Sequence, residues 1–130
     1  MEIQVGELTD ALAQADLAIT KSGTVTMECA LHGVPAVVFY KTSWPTYFIG
    51  KQIVTVKYLA MPNLLAGEEI YPEFIQDAAT AGNISRAALA LLRDESRRAA
   101  VKAKLAAVVA SLGNPGAALR AADVILRLLP

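Results

Sequence analysis

With 130 residues, the chain is sized for one compact domain able to bury a core. Twelve basic and twelve acidic side chains leave a formal net charge of zero, without the basic excess of a general nucleic-acid binder. Hydrophobic residues make up 55%, much of it helix-favouring alanine, and no run is long enough to span a bilayer. Cys29 is the single cysteine, so no internal disulfide can form. The start, MEIQVGELTD, has neither the basic nor the apolar region of a secretory leader. The expected location is cytoplasmic, with room for peripheral contact at a membrane surface.

In chain order, residues 3–5 read as the end of a strand, turned by Gly6, and residues 9–15 as a short helix. Residues 17–20 form a short apolar run, expected to be a buried strand. A loop over residues 21–24 leads into a helix of about eight residues ending at His32. Gly33 stands at the position after the helix, and Pro35 follows as a stop. Residues 36–40, AVVFY, are continuous and rich in β-formers, a second buried strand. Residues 43–54 are amphipathic, with Pro45 tolerable in a first helical turn. Residues 55–60 are a third strand candidate, followed by a Pro62-Asn63 turn. This alternation is the α/β pattern with parallel pairing. Beyond Gly82 the pattern is helical. Apolar faces run through Ile84, Ala87, Ala88, Leu91 and Leu92, then Val101, Leu105, Val108, Val109 and Leu112. A third face, Ala118, Ala121, Ala122, Ile125, Leu126 and Leu129, follows a Gly113-Asn114-Pro115-Gly116 break.

Three constellations could carry chemistry. KSGTVTME, residues 21–28, lies between a strand end and a helix start, where free N–H groups and the helix dipole make an anion site. Gly23 allows backbone close to a phosphate, while Ser22, Thr24 and Thr26 add hydroxyls. Glu28, one turn into the helix, can lean back toward the hydroxyls of a ribose. The same residues also read as a plain cap by Thr24, which local physics alone favours because cap boxes are common. In MPNLLAG, Asn63 follows a strand candidate at the ligand edge of a parallel sheet and offers both donor and acceptor, although Pro-Asn is also an ordinary turn. In YPEFIQ, Glu73 and Gln76 share a helical face and could hold sugar hydroxyls, or could be a solvated first turn. His32 and Cys29 are too sparse for a zinc site, and there is no Walker or GxGxxG motif. No metal and no cofactor are expected.

SGTVTMECALHGVPAVVFY resembles the nucleotide-binding loop and helix of GT-B glycosyltransferases. The succession YKTSWPTYFIGKQIVTVKYLAMPNLLAGEEIYPEFIQ is similar to the lipid-A-disaccharide synthase family in particular, through PNLLAG and PE-x-x-Q. The similarity runs from about Gly6 to Gln76, and more weakly through the terminal helices. It implies a Rossmann-like parallel sheet, part of a GT-B carboxyl-terminal domain, followed by a helical segment. The chain would then be a single partial UDP-sugar-binding domain, with residues 1–76 as the α/β portion and residues 83–130 as the terminal helices.

The implied partner is a UDP-sugar of the UDP-2,3-diacylglucosamine class, whose acylated glucosamine passes to lipid X. The implied UDP contacts are Ser22, Gly23, Thr24, Glu28 and Asn63, with Glu73 and Gln76 near the donor sugar. The family usually carries a basic residue after LLAG, whereas Glu68 and Glu69 follow Gly67 here. An acidic side chain facing the site would repel a diphosphate. The resemblance further implies that the amino-terminal acceptor domain, where the catalytic acid/base groups of the family are expected, is not part of these 130 residues, so the chain is expected to be inactive alone. Alternatives are a non-catalytic nucleotide-sugar-binding subunit and a structural fragment, either working by association. Either a homo-oligomer or a missing amino-terminal half is expected.

Overall fold

The computed structural model describes residues 6, 8–53, 56–114 and 116–128, without the side chains of residues 49–53. The strand expected over residues 3–5 lies outside the described residues.

Helix α1 (Leu8–Ala13) buries Leu12 and leads to strand β1 (Ala18–Lys21). Helix α2 (Val25–Leu31) follows, and Gly33 ends it at a φ of +63°, a left-handed conformation that suits glycine. Strand β2 (Ala36–Tyr40) pairs in parallel with β1, from Ala18↔Ala36 to Lys21↔Phe39. Successive residues of a strand face opposite sides, yet Ala36, Val37 and Val38 are all buried, so β2 is covered on both faces. Helix α3 (Trp44–Ile53) comes next, as its pattern implied.

The third strand falls elsewhere than expected. Residues 56–60 form no strand, and β3 is Glu73–Ile75, in parallel register with β2 through Val38↔Glu73 and Tyr40↔Ile75. The sheet order is β1-β2-β3, so both edges of β2 are already paired. The β-formers of VKYL, residues 56–59, therefore have no place beside it, a case of tertiary context overriding propensity, and residue 55 of the expected strand lies outside the described residues. Pro62 and Asn63 are also not a turn. They open helix α4 (Met61–Ala66), with the proline in the first turn where its missing N–H costs nothing, and Gly67 closes it at a φ of +69°. Nor do Glu73 and Gln76 share a helical face. Glu73 begins β3, and Gln76 starts a single 3₁₀ turn, Gln76–Ala78.

The remaining helices are α5 (Ala81–Arg93), α6 (Glu95–Ser111) and α7 (Ala117–Leu128). Thr80 caps α5 by accepting from the N–H of Asn83, and Asp94 caps α6 by accepting from that of Arg97. Helix α5 packs on β2, and α6 packs on α2, α4 and α5. One core cluster accordingly joins Cys29, Val37 and Tyr71 with Leu91, Val101, Leu105 and Val108. The first two terminal helices belong to the same core as the sheet. Helix α7 does not, since none of its residues is buried. The architecture is α/β, a three-stranded parallel sheet followed by helices, as the sequence implied.

Candidate functional site at the carboxyl-terminal edge of the sheet

Strands β1 and β2 end side by side at Lys21 and Tyr40, and both continue into loops that lead to helices. The Ser22 N–H still donates to Phe39 O, at 2.9 Å, so the chain leaves the ladder only at Gly23. Side-chain hydroxyls fix the shape of the first loop. Thr26, fully buried, donates from its hydroxyl to Gly23 O at 2.7 Å and accepts from Met61 N at 3.3 Å. Ser22 donates from its hydroxyl to Leu59 O at 2.8 Å. The loop is thus tied at two points to the segment that enters α4.

The cap reading for Thr24 does not hold. Its backbone is helical and its side chain makes no capping bond. Backbone bonds inside the turn begin with the N–H of Thr26. Among the described residues the N–H groups of Gly23, Thr24 and Val25 have no partner. Gly23 and Thr24 are exposed, and a Cβ placed on Gly23 would meet nothing within 4 Å, so there is open space in front of the loop. Three successive donors at a helix start form a concavity suited to an anion. Lys21, exposed beside the loop, holds its ammonium 5.5 Å from the centre of the Tyr40 ring, and Lys41 is exposed just past β2. Both lysines adjoin the ends of strands that were legible in the sequence, which is the signal that could have singled them out. Glu28 is half-buried on the first turn of α2, and among the described residues its carboxylate accepts no hydrogen bond. Its charge lies close enough to Cys29 to add to the effect of burial, which pushes that thiol up from its ordinary pKa.

Asn63 sits in a different environment. It is fully buried, and all four of its hydrogen-bonding positions are occupied by this chain. Its Oδ1 accepts from Ile70 N and Tyr71 N, both at 2.9 Å. Its Nδ2 donates to Tyr71 O at 2.8 Å and to Glu73 Oε1 at 2.7 Å. Glu73 is occupied as well, accepting from Leu59 N at 2.8 Å and from Ala60 N at 2.9 Å. The two side chains clamp the start of α4 to β3. Tyr71 completes the clamp below, with its hydroxyl donating to Val34 O at 2.9 Å and burial pushing its pKa far up.

Gln76 is a clamp of the same kind. Its Oε1 accepts from Thr42 N at 2.8 Å and its Nε2 donates to Thr42 O at 3.1 Å, which prolongs the β2–β3 pairing past the strand ends. Gln76 does so at a φ of +49°, a left-handed conformation costing on the order of 1 kcal/mol. Glu68 is turned to α6, where its carboxylate meets Lys104 Nζ at 2.6 Å. A groove of about 290 Å³ lies beside this ion pair, lined by Leu65, Ala66, Ile70 and Val108 and by none of the residues expected to touch a nucleotide.

Residues 2–125 match the model of a family described as lipid-A-disaccharide synthetase. The chain belongs to the lipid-A-disaccharide synthetase family. It is similar to the lipid-A-disaccharide synthase of Syntrophus aciditrophicus, with 42% identity over 124 residues, covering 95% of this chain and 32% of that protein. It is likewise similar to the synthase of Solibacter usitatus, with 44% identity over 125 residues, 95% of this chain and 33% of the relative. A third synthase, from Sulfurihydrogenibium, is 41% identical over 120 residues, 92% of this chain and 31% of the relative. The chain spans about a third of the length of these relatives.

Proposed function

We propose that the chain is the UDP-sugar-binding portion of a GT-B lipid-A-disaccharide synthase, which transfers acylated glucosamine from UDP to lipid X. The observation that carries this reading is the row of three unpartnered N–H groups at residues 23–25, beside the exposed Lys21. Backbone donors and ammonium groups suit a diphosphate, because its charge is delocalised over oxygens that accept from several directions. The Thr24 hydroxyl donates to the same oxygens and the Glu28 carboxylate takes the ribose hydroxyls, whereas the Ser22 hydroxyl is spent on Leu59 O and holds the loop in place.

Asn63, Glu73 and Gln76 then act one step back. They hold the start of α4 and the β2–α3 loop around the nucleotide. This reading leaves Glu68 outside the site, since its carboxylate is turned to Lys104 on α6. The reading places the chain in the cytoplasm, beside its nucleotide-activated donor. It also leaves α7, which buries no residue, to be seated by association, either with a second copy or with an amino-terminal half.

Calorimetric titration of the chain with UDP and with inorganic pyrophosphate tests the proposal. UDP is expected to bind weakly but measurably, and Glu28→Ala to weaken UDP while sparing pyrophosphate. Absence of any UDP binding by the folded chain would refute it.

A further inference from the structure

Tyr40 is the last residue of β2 in register with β3, opposite Ile75. The next rung would set Lys41 against Gln76. Gln76 instead turns into the 3₁₀ helix at a φ of +49°, and its side chain takes over the pairing. The amide accepts from Thr42 N at 2.8 Å and donates to Thr42 O at 3.1 Å, as the backbone of a neighbouring strand would. Among the described residues Gln76 is the only one other than glycine at positive φ, and it is buried. The strain offsets part of what the two bonds contribute, so what the clamp secures is the path of the chain at residues 41 and 42. Strain of this kind gathers where a group must be held ready for a ligand.

Lys41 is the group so held. It is exposed, and among the described residues it makes no side-chain hydrogen bond, ion pair or ring contact. Lys21 and Lys57, by contrast, hold their ammonium groups 5.5 Å and 5.0 Å from the ring centres of Tyr40 and Tyr58. No carboxylate answers the Lys41 charge. The chain has no acidic residue between Glu28 and Glu68, Glu73 is committed to Leu59, Ala60 and Asn63, and Asp77, beside Gln76, forms no salt bridge among the described residues. An ammonium without a counter-charge at the end of the middle strand suits an anion. It stands one strand spacing, about 4.8 Å, from the line of β1, whose loop carries the row of free N–H groups.

Once Glu28 takes the ribose, the N–H groups of residues 23–25 suffice for the phosphate next to it. The second phosphate is then the part of the donor still without a partner at this edge. We propose that Lys41 receives this terminal, sugar-bearing phosphate, with Gln76 as its positioning residue, and that the pair selects a nucleoside diphosphate over a monophosphate. This inference rests on the nucleotide reading.

Calorimetry of the full chain with UDP and with UMP tests it. Lys41→Gln is expected to weaken UDP about tenfold and UMP less than about twofold, because one hydrogen bond to a charged phosphate is lost. Gln76→Gly removes clamp and strain together, since glycine accepts the left-handed backbone. Its urea midpoint is expected to stay close to that of the unaltered chain, while its preference for UDP over UMP falls toward that of Lys41→Gln. Adding Lys41→Gln to Gln76→Gly should then change little more, because the two residues act as a unit. Lys102→Gln, on the exposed side of α6, leaves both affinities unchanged. Circular dichroism establishes that each variant is folded. If the unaltered chain binds UDP but Lys41→Gln leaves the preference unmoved, or weakens UDP and UMP equally, the assignment of Lys41 is overturned and the nucleotide reading stands. An unmoved preference in Gln76→Gly, or full additivity in the double variant, overturns the positioning role. Failure of the folded, unaltered chain to bind UDP overturns both the nucleotide reading and this inference.

Discussion

Two polar groups of residues meet where β1 and β3 approach the start of α4. In the clamp, Asn63 and Glu73 are committed to six hydrogen bonds with the chain itself, so that nothing polar on Asn63 is left for a ligand. In the loop at residues 23–25, three N–H groups have no partner among the described residues, and the space beside Gly23 is open. The sequence resemblance treats both groups as donor contacts, with Asn63 on the nucleotide and Glu73 near the sugar. Their environments separate them. A buried amide must satisfy itself within the fold, because an unmet donor or acceptor away from water costs about 1–3 kcal/mol. An exposed loop can leave its donors to water until an anion replaces that water. The polar residue that binds and the polar residue that holds the binding loop in place are therefore told apart by burial and by hydrogen-bond occupancy.

The largest effect is expected at the clamp. Asn63→Leu strands Ile70 N, Tyr71 N and Tyr71 O in the interior, and should lower stability by about 3–5 kcal/mol, summing partly relaxed penalties. Urea unfolding without ligand measures this. A loss under about 1 kcal/mol would mean that Asn63 is not a brace.

At the loop the expected effect appears in affinity instead. Glu28→Ala should weaken UDP by roughly 1.5–3 kcal/mol, the range for a hydrogen bond to a charged group. The urea midpoint should stay nearly constant, because the carboxylate accepts no hydrogen bond among the described residues. Equal weakening of pyrophosphate would assign Glu28 to the loop structure and blur the comparison.

A third test uses pH. Burial, with the Glu28 charge adding to it, raises the folded pKa of Cys29, so the unfolded chain releases this proton first. The stability this thiol contributes is complete below its ordinary titration range near ~8.5. It is lost as pH rises toward the folded value, at most about 1.4 kcal/mol per pH unit. Burial of Tyr71 acts with the same sign at higher pH. Urea midpoints in the alkaline range should fall with pH, and Cys29→Ala should flatten the first part of that slope.

The smallest effect is expected at Glu68. Its ion pair with Lys104 is about half exposed, so Glu68→Gln should change stability by less than about 1 kcal/mol. UDP affinity should not move. A clear gain in affinity would place the Glu68 charge at the site after all.

Much of the fold was legible in the residues alone. Strands β1 and β2 are short apolar runs, and helix α2 lies between a polar loop and Gly33, signals that act over a few residues. The apolar faces of α5 and α6 point inward at Ala88, Leu91, Val101, Leu105 and Val108, as their 3.6-residue period requires. The third strand was not legible. Residues 55–60 carry better β-formers than Glu73–Ile75, and strand choice was settled by which segment could reach the open edge of β2. The roles of the site residues divide along the same line. The local pattern of residues 21–28 marks a loop that can face an anion, because strand end, glycine and helix start are all neighbours in sequence. That Thr26 and Ser22 tie this loop to residues 59–61, that Glu73 and Asn63 lock those residues to β3, and that Glu68 turns to Lys104 are contacts across 8–37 positions. Sequence patterns report propensity and periodicity, which are local. Which polar groups saturate one another is decided only when tertiary packing brings distant segments together and excludes water from between them.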